Sequence, residues 1–265
     1  SVLPDRNDKR TAGFPRDEVS DLLTEIKWNQ REKKIIFLSD LHNRMYGEEN
    51  ERLLESIRNQ HPDLILIGGD MLVRKDGNSY DKTVHFLAKL SGICPVYCAN
   101  GNHEQKLKEL PDKYEQSYEG YKKALTACGI YMLENASETV RLDEAPVRIS
   151  GLEIPLRAYA RFGKKDLPLK EITDRIGEHG EEYQILLAHH PGYIQEYLEY
   201  GADMILSGHY HGGCDAASGD RRGDFTGFYT ISKIFRRNIQ GRSTDGGRKP
   251  RTGNTFCAGK IVELA

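Results

Sequence analysis

The sequence predicts an α/β fold with two β-sheets. From residue 33 onward, short β-branched or leucine-rich runs of strand length alternate with amphipathic segments of helical length, the pattern of parallel strands joined by helices. Between residues 130 and 152 this gives way to short alternating runs, among them VRLDEAPVRISGL. Runs of that kind indicate antiparallel strands, and we assign them to a second sheet.

Five strands are predicted where an apolar run is bounded by polar turns, at residues 35–39, 64–67, 94–98, 185–188 and 204–206. Helices are predicted at residues 48–59, 80–90, 114–128 and 192–200. In the first of these helices, Leu53, Leu54 and Ile57 recur at helical spacing and form one apolar face. Residues 153–178 interrupt the alternation, and the sequence leaves open whether they form a lid over a site or a surface insertion.

The composition is that of an ordinary globular protein. Charged residues make up 29% and hydrophobic residues 38% of the 265 residues, and the formal net charge is -2, so the whole chain carries no charge that would attract nucleic acid or acidic lipid. No apolar stretch approaches the roughly 20 residues of a membrane span. Five scattered cysteines without a CxxC pair indicate buried thiols and favour a cytoplasmic location. Because the chain begins at Ser1, a removed amino-terminal anchor stays an alternative.

Potential metal ligands follow all five predicted strands. In chain order they are Asp40 and His42 in SDLHN, Asp70 in GGD, Asn102 and His103 in GNHE, His189 and His190 in AHHP, and His209 and His211 in GHYHGG. Each alone is explained as well by a turn, a helix cap or a packed histidine. Because residues past the carboxyl ends of neighbouring strands converge on one crevice, the five together predict a single site.

The residue types narrow the choice of metal. Imidazole, carboxylate and amide groups without a thiolate suit manganese, iron, zinc or nickel. Seven such groups are too many for one catalytic ion with an open position. We therefore predict two divalent transition-metal ions about 3.5 to 4 Å apart, bridged by Asp70 and by a water that attacks as hydroxide.

The ordered motifs resemble those of the calcineurin-like metallophosphoesterases over about residues 33–213. The resemblance implies a four-layer αββα sandwich of two mixed β-sheets flanked by helices, and hydrolysis of phosphate esters at a dinuclear site. By motif position, one ion would be held by Asp40, His42, Asp70 and His211, and the other by Asp70, Asn102, His189 and His209. The resemblance also implies that His103 protonates the leaving group or steadies the transition state, while Asp70 serves catalysis as the bridging ligand.

The sequence leaves the substrate open among phosphomonoesters, phosphodiesters and pyrophosphates, either small molecules or lipid-linked. Asn43 and Arg44 are candidates for contact with substrate phosphate, although a solvated loop explains them as well. The alternative function is a noncatalytic metal-binding scaffold, against which His103 argues, because a scaffold needs no acid beside its metals. Nucleic-acid binding would depend on the basic tail alone, and we expect no nucleic-acid partner.

Three segments are predicted: an amino-terminal extension at 1–32, a metallophosphoesterase domain at 33–213, and an atypical basic, glycine-rich tail at 214–265. Residues 212–265 hold ten Lys or Arg and five Asp or Glu. Codons for residues 218–241, read one nucleotide later with suitable synonymous choices, yield PGIGGVISPDFTLFPKYSAGIYR, which resembles the family's continuation. We therefore interpret the tail as a frameshifted reading, with a natural tail that binds an acidic partner as the alternative. Loose packing is expected at 219–254 and an edge strand at 260–264.

Overall fold

The computed structural model of the chain describes residues 26–28, 31–74, 79–142, 145–159, 166–209, 227–231 and 255–258. The first two strands, β1 (Ile26–Trp28) and β2 (Arg31–Lys33), pair as a small antiparallel sheet. They belong to the predicted amino-terminal extension, of which the other residues lie outside the described ranges. Among the described residues, no helix is both long and apolar enough to cross a bilayer.

The first large sheet carries the amino-terminal half of the predicted site. Its strands are β3 (Ile35–Ser39), β4 (Leu64–Ile67), β5 (Val96–Cys98), β6 (Tyr131–Met132) and β11 (Gly227–Ile231), in the order β11-β3-β4-β5-β6. Strands β3 to β6 are parallel, while β11 is antiparallel to β3. The first motifs therefore leave this sheet at the same edge.

The second large sheet is also mixed. Its strands are β7 (Ala136–Leu142), β8 (Ala145–Leu152), β9 (Tyr183–Ala188), β10 (Met204–Ser207) and β12 (Thr255–Ala258), in the order β12-β10-β9-β8-β7. Strands β7 and β8 pair antiparallel, which confirms the interpretation of residues 130–152. Strand β12 comes from the basic tail and pairs in parallel with β10.

Six α-helices are described: α1 (Glu51–Asn59), α2 (Asp81–Ser91), α3 (Asn102–Glu109), α4 (Tyr118–Ala127), α5 (Leu169–Ile176) and α6 (Ile194–Tyr200). Four of them correspond to the predicted helices. The predicted start at residue 114 was wrong, because the Ser117 side chain accepts a hydrogen bond from the Gly120 N–H and caps α4 there. The sequence analysis did not anticipate α3 or α5.

Alternate side chains of β3 bury into different layers. Ile36 and Leu38 pack against α1, α2 and α4 on the outer face, whereas Ile35 and Phe37 pack between the two sheets. On the far side, α5 and α6 cover the outer face of the second sheet, against Ile205. Burial on both faces explains why the strands are continuous apolar runs. The order helix, sheet, sheet, helix confirms the four-layer αββα fold.

Residues 153–178 are not a simple surface insertion. Helix α5 packs into the core through Ile172 and Ile176, and a 3-10 turn at Leu156–Tyr159 places the Tyr159 ring 5.1 Å from the His209 ring, measured between centroids. Residues 160–165 lie outside the described ranges, as do the predicted edge strand at 260–264 and most of 219–254. Cys94, Cys98 and Cys128 are free thiols, of which Cys98 is buried.

Candidate metal centre

The predicted ligands meet where the carboxyl ends of the two sheets face each other. The loops after β3, β4 and β5 carry Asp40, Asp70 and Asn102, and the second sheet adds His189 after β9 and His209 after β10. Hydrogen bonds extend the sheet into these loops, from Asp40 N–H to the Gly69 carbonyl and from His42 N–H to the Asp70 carbonyl, both 3.0 Å. The His209 N–H reaches across to Asp40 Oδ1 at 3.0 Å. The loops of both sheets thus form one bonded assembly.

Glycines in three motifs allow the loops to approach this closely. A Cβ on Gly208 would overlap the Ser39 Oγ and the Asp40 Oδ2, and a Cβ on Gly101 would lie 2.5 Å from the Asp70 backbone nitrogen. Gly69 has a φ of +96°, which L-residues rarely adopt. The glycines before the predicted ligands are therefore required by packing as well as by turn geometry.

Four of the predicted ligands have left-handed backbone conformations: Asp40 (φ 57°), His42 (φ 50°), Asp70 (φ 53°) and His209 (φ 70°). A non-glycine residue in this region costs on the order of 1 kcal/mol. Such strain concentrates at functional sites, where the fold holds side chains in orientations that relaxed turns do not offer.

The carboxylate of Asp70 lies at the centre of the cluster. The side chain is buried, with 1% relative exposure. Its Oδ2 lies 3.2 Å from the Nε2 of His189, 3.8 Å from that of His42 and 4.0 Å from that of His103. Its Oδ1 accepts a hydrogen bond from the His103 N–H at 2.8 Å. One oxygen therefore fixes the carboxylate while the other faces three imidazoles.

The orientation of His189 is set by the backbone. Its Nδ1 lies 2.7 Å from the Gly68 carbonyl oxygen and donates its proton there, which turns Nε2 toward Asp70 and toward Asp40 Oδ1, 3.7 Å away. A histidine ligand is commonly oriented by such a carbonyl. Burial works to lower the pKa of His189, but the carboxylates of Asp70 and Asp40 raise it well above its usual value. The effect is reciprocal. Burial acts to raise the pKa of Asp70, but attraction to His189, and less strongly to His103 and His42, holds it below its usual range. Both shifts arise from the same attraction between the buried carboxylates and His189.

The Asn102 amide connects the predicted ligands to one another. The amide lies 3.3 Å from Asp70 Oδ2 and 2.7 Å from His209 Nδ1, both of which are acceptors, so its nitrogen faces them and donates to both. The amide oxygen then accepts a hydrogen bond from the His103 N–H at 3.3 Å. Asn102 thus lies directly beside Asp70 and His209, as the motifs imply.

Among the residues that the structure describes, two groups of side chains have ligand atoms within 4.8 Å of one another: His42, Asp70 and His103, and Asp70, His189 and His209. Asp70 belongs to both. Asp40 lies between them, with its Oδ1 3.8 Å from His42 Nε2, while its Oδ2 accepts a hydrogen bond from Ser39 Oγ at 2.6 Å. The chemistry and spacing of these groups fit divalent transition-metal ions. The remaining predicted ligand, His211, lies outside the described residues.

His103 has a defined tautomer. Its Nδ1 accepts a hydrogen bond from the Arg74 N–H at 3.2 Å, so in the neutral ring Nε2 carries the proton, on the side facing Asp70. Burial lowers the pKa of His103 to about 4, with repulsion from His42 and Arg74 acting in the same direction and Asp70 opposing it. The ring is thus a neutral hydrogen-bond donor at neutral pH.

The predicted substrate-binding pair follows His42 on the same turn. The Asn43 Oδ1 accepts a hydrogen bond from Thr83 Oγ1 at 3.0 Å, so this side chain ties the loop to α2. Arg44 is partly buried, and its N–H donates to the Leu41 carbonyl at 2.8 Å. These contacts place both residues beside the cluster and leave their role toward substrate as a prediction.

Several residues at the site had no role in the sequence analysis. Glu104 is buried and accepts hydrogen bonds from the N–H groups of Gly101, Asp70, Met71 and Leu72. Burial and the Asp70 carboxylate raise its pKa to about 7, against the effect of these N–H donors. A carboxylate three residues after a helix N-cap is a recognised capping signal and could have identified Glu104.

Tyr159 and Arg74 had no sequence signal. Tyr159 reaches the site from the interruption at 153–178, and its ring lies 4.9 Å from that of His190, centroid to centroid. The Nδ1 of His190 accepts a hydrogen bond from the Gly192 N–H at 3.0 Å, so this histidine caps a turn and does not belong to either ligand group. That position agrees with the packed-histidine alternative.

Comparison with known proteins places this geometry in a family. The calcineurin-like phosphoesterase model matches residues 33–213. The chain is 27% identical over 187 residues to YkoQ, an uncharacterized metallophosphoesterase of Bacillus subtilis, a match that covers 69% of this chain and 63% of YkoQ. It is 26% identical to the phosphodiesterase YaeI of Escherichia coli, with 72% of this chain and 65% of YaeI covered.

A third relative is the UDP-2,3-diacylglucosamine pyrophosphatase LpxG of Chlamydia muridarum, 22% identical, with 72% of this chain and 69% of LpxG covered. The matched part of the chain spans less than two thirds of the length of YkoQ and YaeI. The family match extends over well more than half of the chain, through all five motifs. The chain belongs to the calcineurin-like phosphoesterase family.

Proposed function

We propose that this chain is a metal-dependent phosphoesterase with a dinuclear site. The observation that carries the proposal is the shared carboxylate of Asp70, which among the described residues belongs to two groups of potential ligands at the meeting point of the two sheets. His103, a member of the first group, is proposed as a hydrogen-bond donor rather than a ligand, and Asp40 and His211 would complete that ligand set. A site for a single structural ion would not need two such groups.

The proposed ligand sets are those implied by the family motifs: Asp40, His42, Asp70 and His211 for one ion, and Asp70, Asn102, His189 and His209 for the other. When bound, two divalent ions would supply positive charge for the phosphoryl oxygens and acidify a water that attacks phosphorus. The backbone contacts of His189 and Asp70 hold their ligand atoms in place before any substrate arrives, so little reorganisation would accompany binding.

His103 would act as a hydrogen-bond donor through its Nε2–H. The Arg74 N–H holds Nδ1 as an acceptor, and this keeps the proton on the nitrogen that faces the site. A donor in this position would stabilise negative charge on the phosphoryl or leaving-group oxygen as the P–O bond breaks. Of the two roles considered for His103, the geometry therefore favours steadying the transition state.

The substrate would be a small-molecule or lipid-linked phosphate ester. Among the relatives, YaeI is named as a phosphodiesterase and LpxG as a pyrophosphatase of a diacylated sugar nucleotide, which supports a phosphodiester or pyrophosphate bond as the one cleaved. Asn43 and Arg44 would contribute contacts to the phosphate from the loop after His42.

The test is hydrolysis of bis(p-nitrophenyl) phosphate and p-nitrophenyl phosphate by the purified chain, stripped of metal and resupplied with manganese. We expect activity that requires metal, is lost in Asp70→Asn and falls about 100-fold in His103→Ala, a typical effect of removing one transition-state donor. His85→Ala is the matched control, because His85 is exposed and pairs with Glu49 on the surface. A folded, metal-loaded chain without activity would instead favour the scaffold alternative.

A further inference from the structure

The side chain of Arg74 lies against the imidazole of His103. Arg74 follows the GGD loop after β4 and is partly buried. Its Nη1 lies 3.4 Å from the Nδ1 of His103 and 3.4 Å from the Nε2. In the plane of the ring, an atom equally far from both nitrogens at this distance would overlap the carbon between them. The guanidinium nitrogen therefore lies over the face of the imidazole.

This placement leaves the lone pair of Nδ1 to the backbone. The lone pair lies in the plane of the ring and accepts the hydrogen bond from the Arg74 N–H at 3.2 Å. A guanidinium over the face of the ring interacts by stacking instead. Arg74 thus restrains the imidazole of His103 twice, because its backbone fixes the tautomer and its side chain covers one face.

Tyr114 anchors the guanidinium to the core. The hydroxyl of Tyr114 accepts a hydrogen bond from the Arg74 Nε at 3.2 Å. The ring of Tyr114 packs against the hydrophobic cluster on the outer face of the first sheet. The position of the guanidinium over His103 is therefore set by a residue that is itself held by packing.

The restraint matters because of what His103 faces. Its Nε2 lies 4.0 Å from Asp70 Oδ2, and its ring meets that of His42 edge-on, with centroids 4.9 Å apart. The torsion that turns an imidazole about its bond to Cβ is broad. A ring without a neighbour on its face would turn readily and carry the protonated nitrogen away from the ligand cluster. The contact with Arg74 opposes that rotation.

From this geometry we infer that Arg74 is a positioning residue for His103. Its guanidinium, oriented by Tyr114, keeps the imidazole turned so that the Nε2–H stays directed at the ligand cluster. The inference rests on the proposed function and adds a positioning residue to the same site. A donor that is already oriented stabilises a transition state without the cost of reordering. Because Arg74 acts through His103, its effect should disappear when His103 is removed.

The experiment is a double-mutant cycle between Arg74 and His103, measured as kcat and KM for bis(p-nitrophenyl) phosphate with manganese. Arg74→Ala should lower kcat by on the order of tenfold while KM changes by less than about twofold, because a transition-state contact is loosened. In a chain that already carries His103→Ala, the same substitution should lower kcat by less than about twofold. Coupling of this kind is expected of a residue that acts through another.

Further variants separate positioning from folding and from metal binding. Tyr114→Phe keeps the ring in the core and removes only the hydroxyl, and it should lower kcat by about threefold when His103 is present. Arg58→Ala removes an exposed arginine of α1 and is the control, which should leave kcat and KM unchanged. The manganese content of Arg74→Ala, measured by inductively coupled plasma mass spectrometry, should equal that of the wild type.

The outcomes separate this inference from the proposed function. Equal kcat values for the wild type and Arg74→Ala would overturn the inference alone. So would a loss that persists in full without His103, a raised KM or a lower manganese content, because each assigns Arg74 a direct contact with substrate or a role in the fold. A folded, manganese-loaded wild type that hydrolyses no phosphodiester would overturn the proposed function and the inference with it.

Discussion

Replacement of Glu104 by glutamine tests how the site is held together. The Glu104 carboxylate is buried and joins two loops, because Oε2 accepts from the N–H groups of Asp70 (2.8 Å) and Gly101 (3.0 Å). Its Oε1 accepts from the N–H groups of Met71 (2.9 Å) and Leu72 (3.3 Å). In glutamine, an NH₂ group replaces one of these oxygens and faces two N–H donors.

The magnitude follows from the bonds that are lost. At about pH 8.5, where the Glu104 carboxyl with its pKa of about 7 is ionised, two buried backbone donors would lose a charged acceptor, at about 1.5 to 3 kcal/mol each. The loss is partly offset because the neutral amide is less costly to bury than a carboxylate. We expect a net loss of roughly 2 to 4 kcal/mol in the free energy of unfolding. For a chain of this size that corresponds to a melting temperature lowered by about 5 to 15 °C.

The assay is urea unfolding of the metal-free chain, followed by circular dichroism, for the wild type, Glu104→Gln and Glu109→Gln. Glu109 ends the same helix on its exposed side and accepts a hydrogen bond from Gln105 Nε2 at 2.5 Å, so its variant should change stability by no more than about 0.5 kcal/mol. Equal unfolding midpoints for the two variants would refute the reasoning that Glu104 joins the loops.

Two further predictions concern the packing around the site and the surface network. Gly208→Ala should weaken manganese binding, measured by calorimetry, because the added methyl group would overlap the Asp40 carboxylate. The control Gly92→Ala should bind manganese normally, because its methyl group would meet only an ordinary contact at 3.5 Å. Equal manganese affinities of the two variants would contradict this prediction. Burial acts to raise the pKa of Glu134, but its hydrogen bonds, of which the one from Lys108 has the largest effect, lower the pKa from 4.5 to about 2. Its contribution to stability should therefore be full above about pH 5 and disappear as the pH falls to 2, so the difference in melting temperature between wild type and Glu134→Gln should shrink over that range; a constant difference would contradict it.

Much of the fold could be predicted because burial dictates the pattern. Strands with both faces covered are expected to be apolar. Leu64–Ile67 meets that requirement throughout, and Ile35–Ser39 meets it up to its last residue, Ser39. Helix α3 was missed because its sequence, NHEQKLKE, is polar and its residues serve the site rather than an apolar face. Helix starts were missed where local caps such as Ser117 decide them.

The candidate metal site could be predicted to the extent that it depends on topology. Parallel strands bring their carboxyl ends together, so the residues after β3, β4 and β5 had to meet, as Asp40, Asp70 and Asn102 do. The supporting residues depend on contacts between distant loops. Tyr159 reaches His209 by the path of a loop, and Arg74 reaches His103 through its own backbone N–H, neither of which a one-dimensional pattern encodes.

The most direct test of the dinuclear site is its metal stoichiometry. The wild-type chain, Asp70→Asn and Asp174→Asn would be loaded with manganese, dialysed, and assayed by inductively coupled plasma mass spectrometry. Asp174 pairs with Lys170 on the surface and serves as the matched control. We predict about two ions per chain in the wild type and in Asp174→Asn, as expected for a dinuclear centre, and a clear loss in Asp70→Asn. Fewer than one ion in the folded wild type, or an unchanged count in Asp70→Asn, would contradict the account.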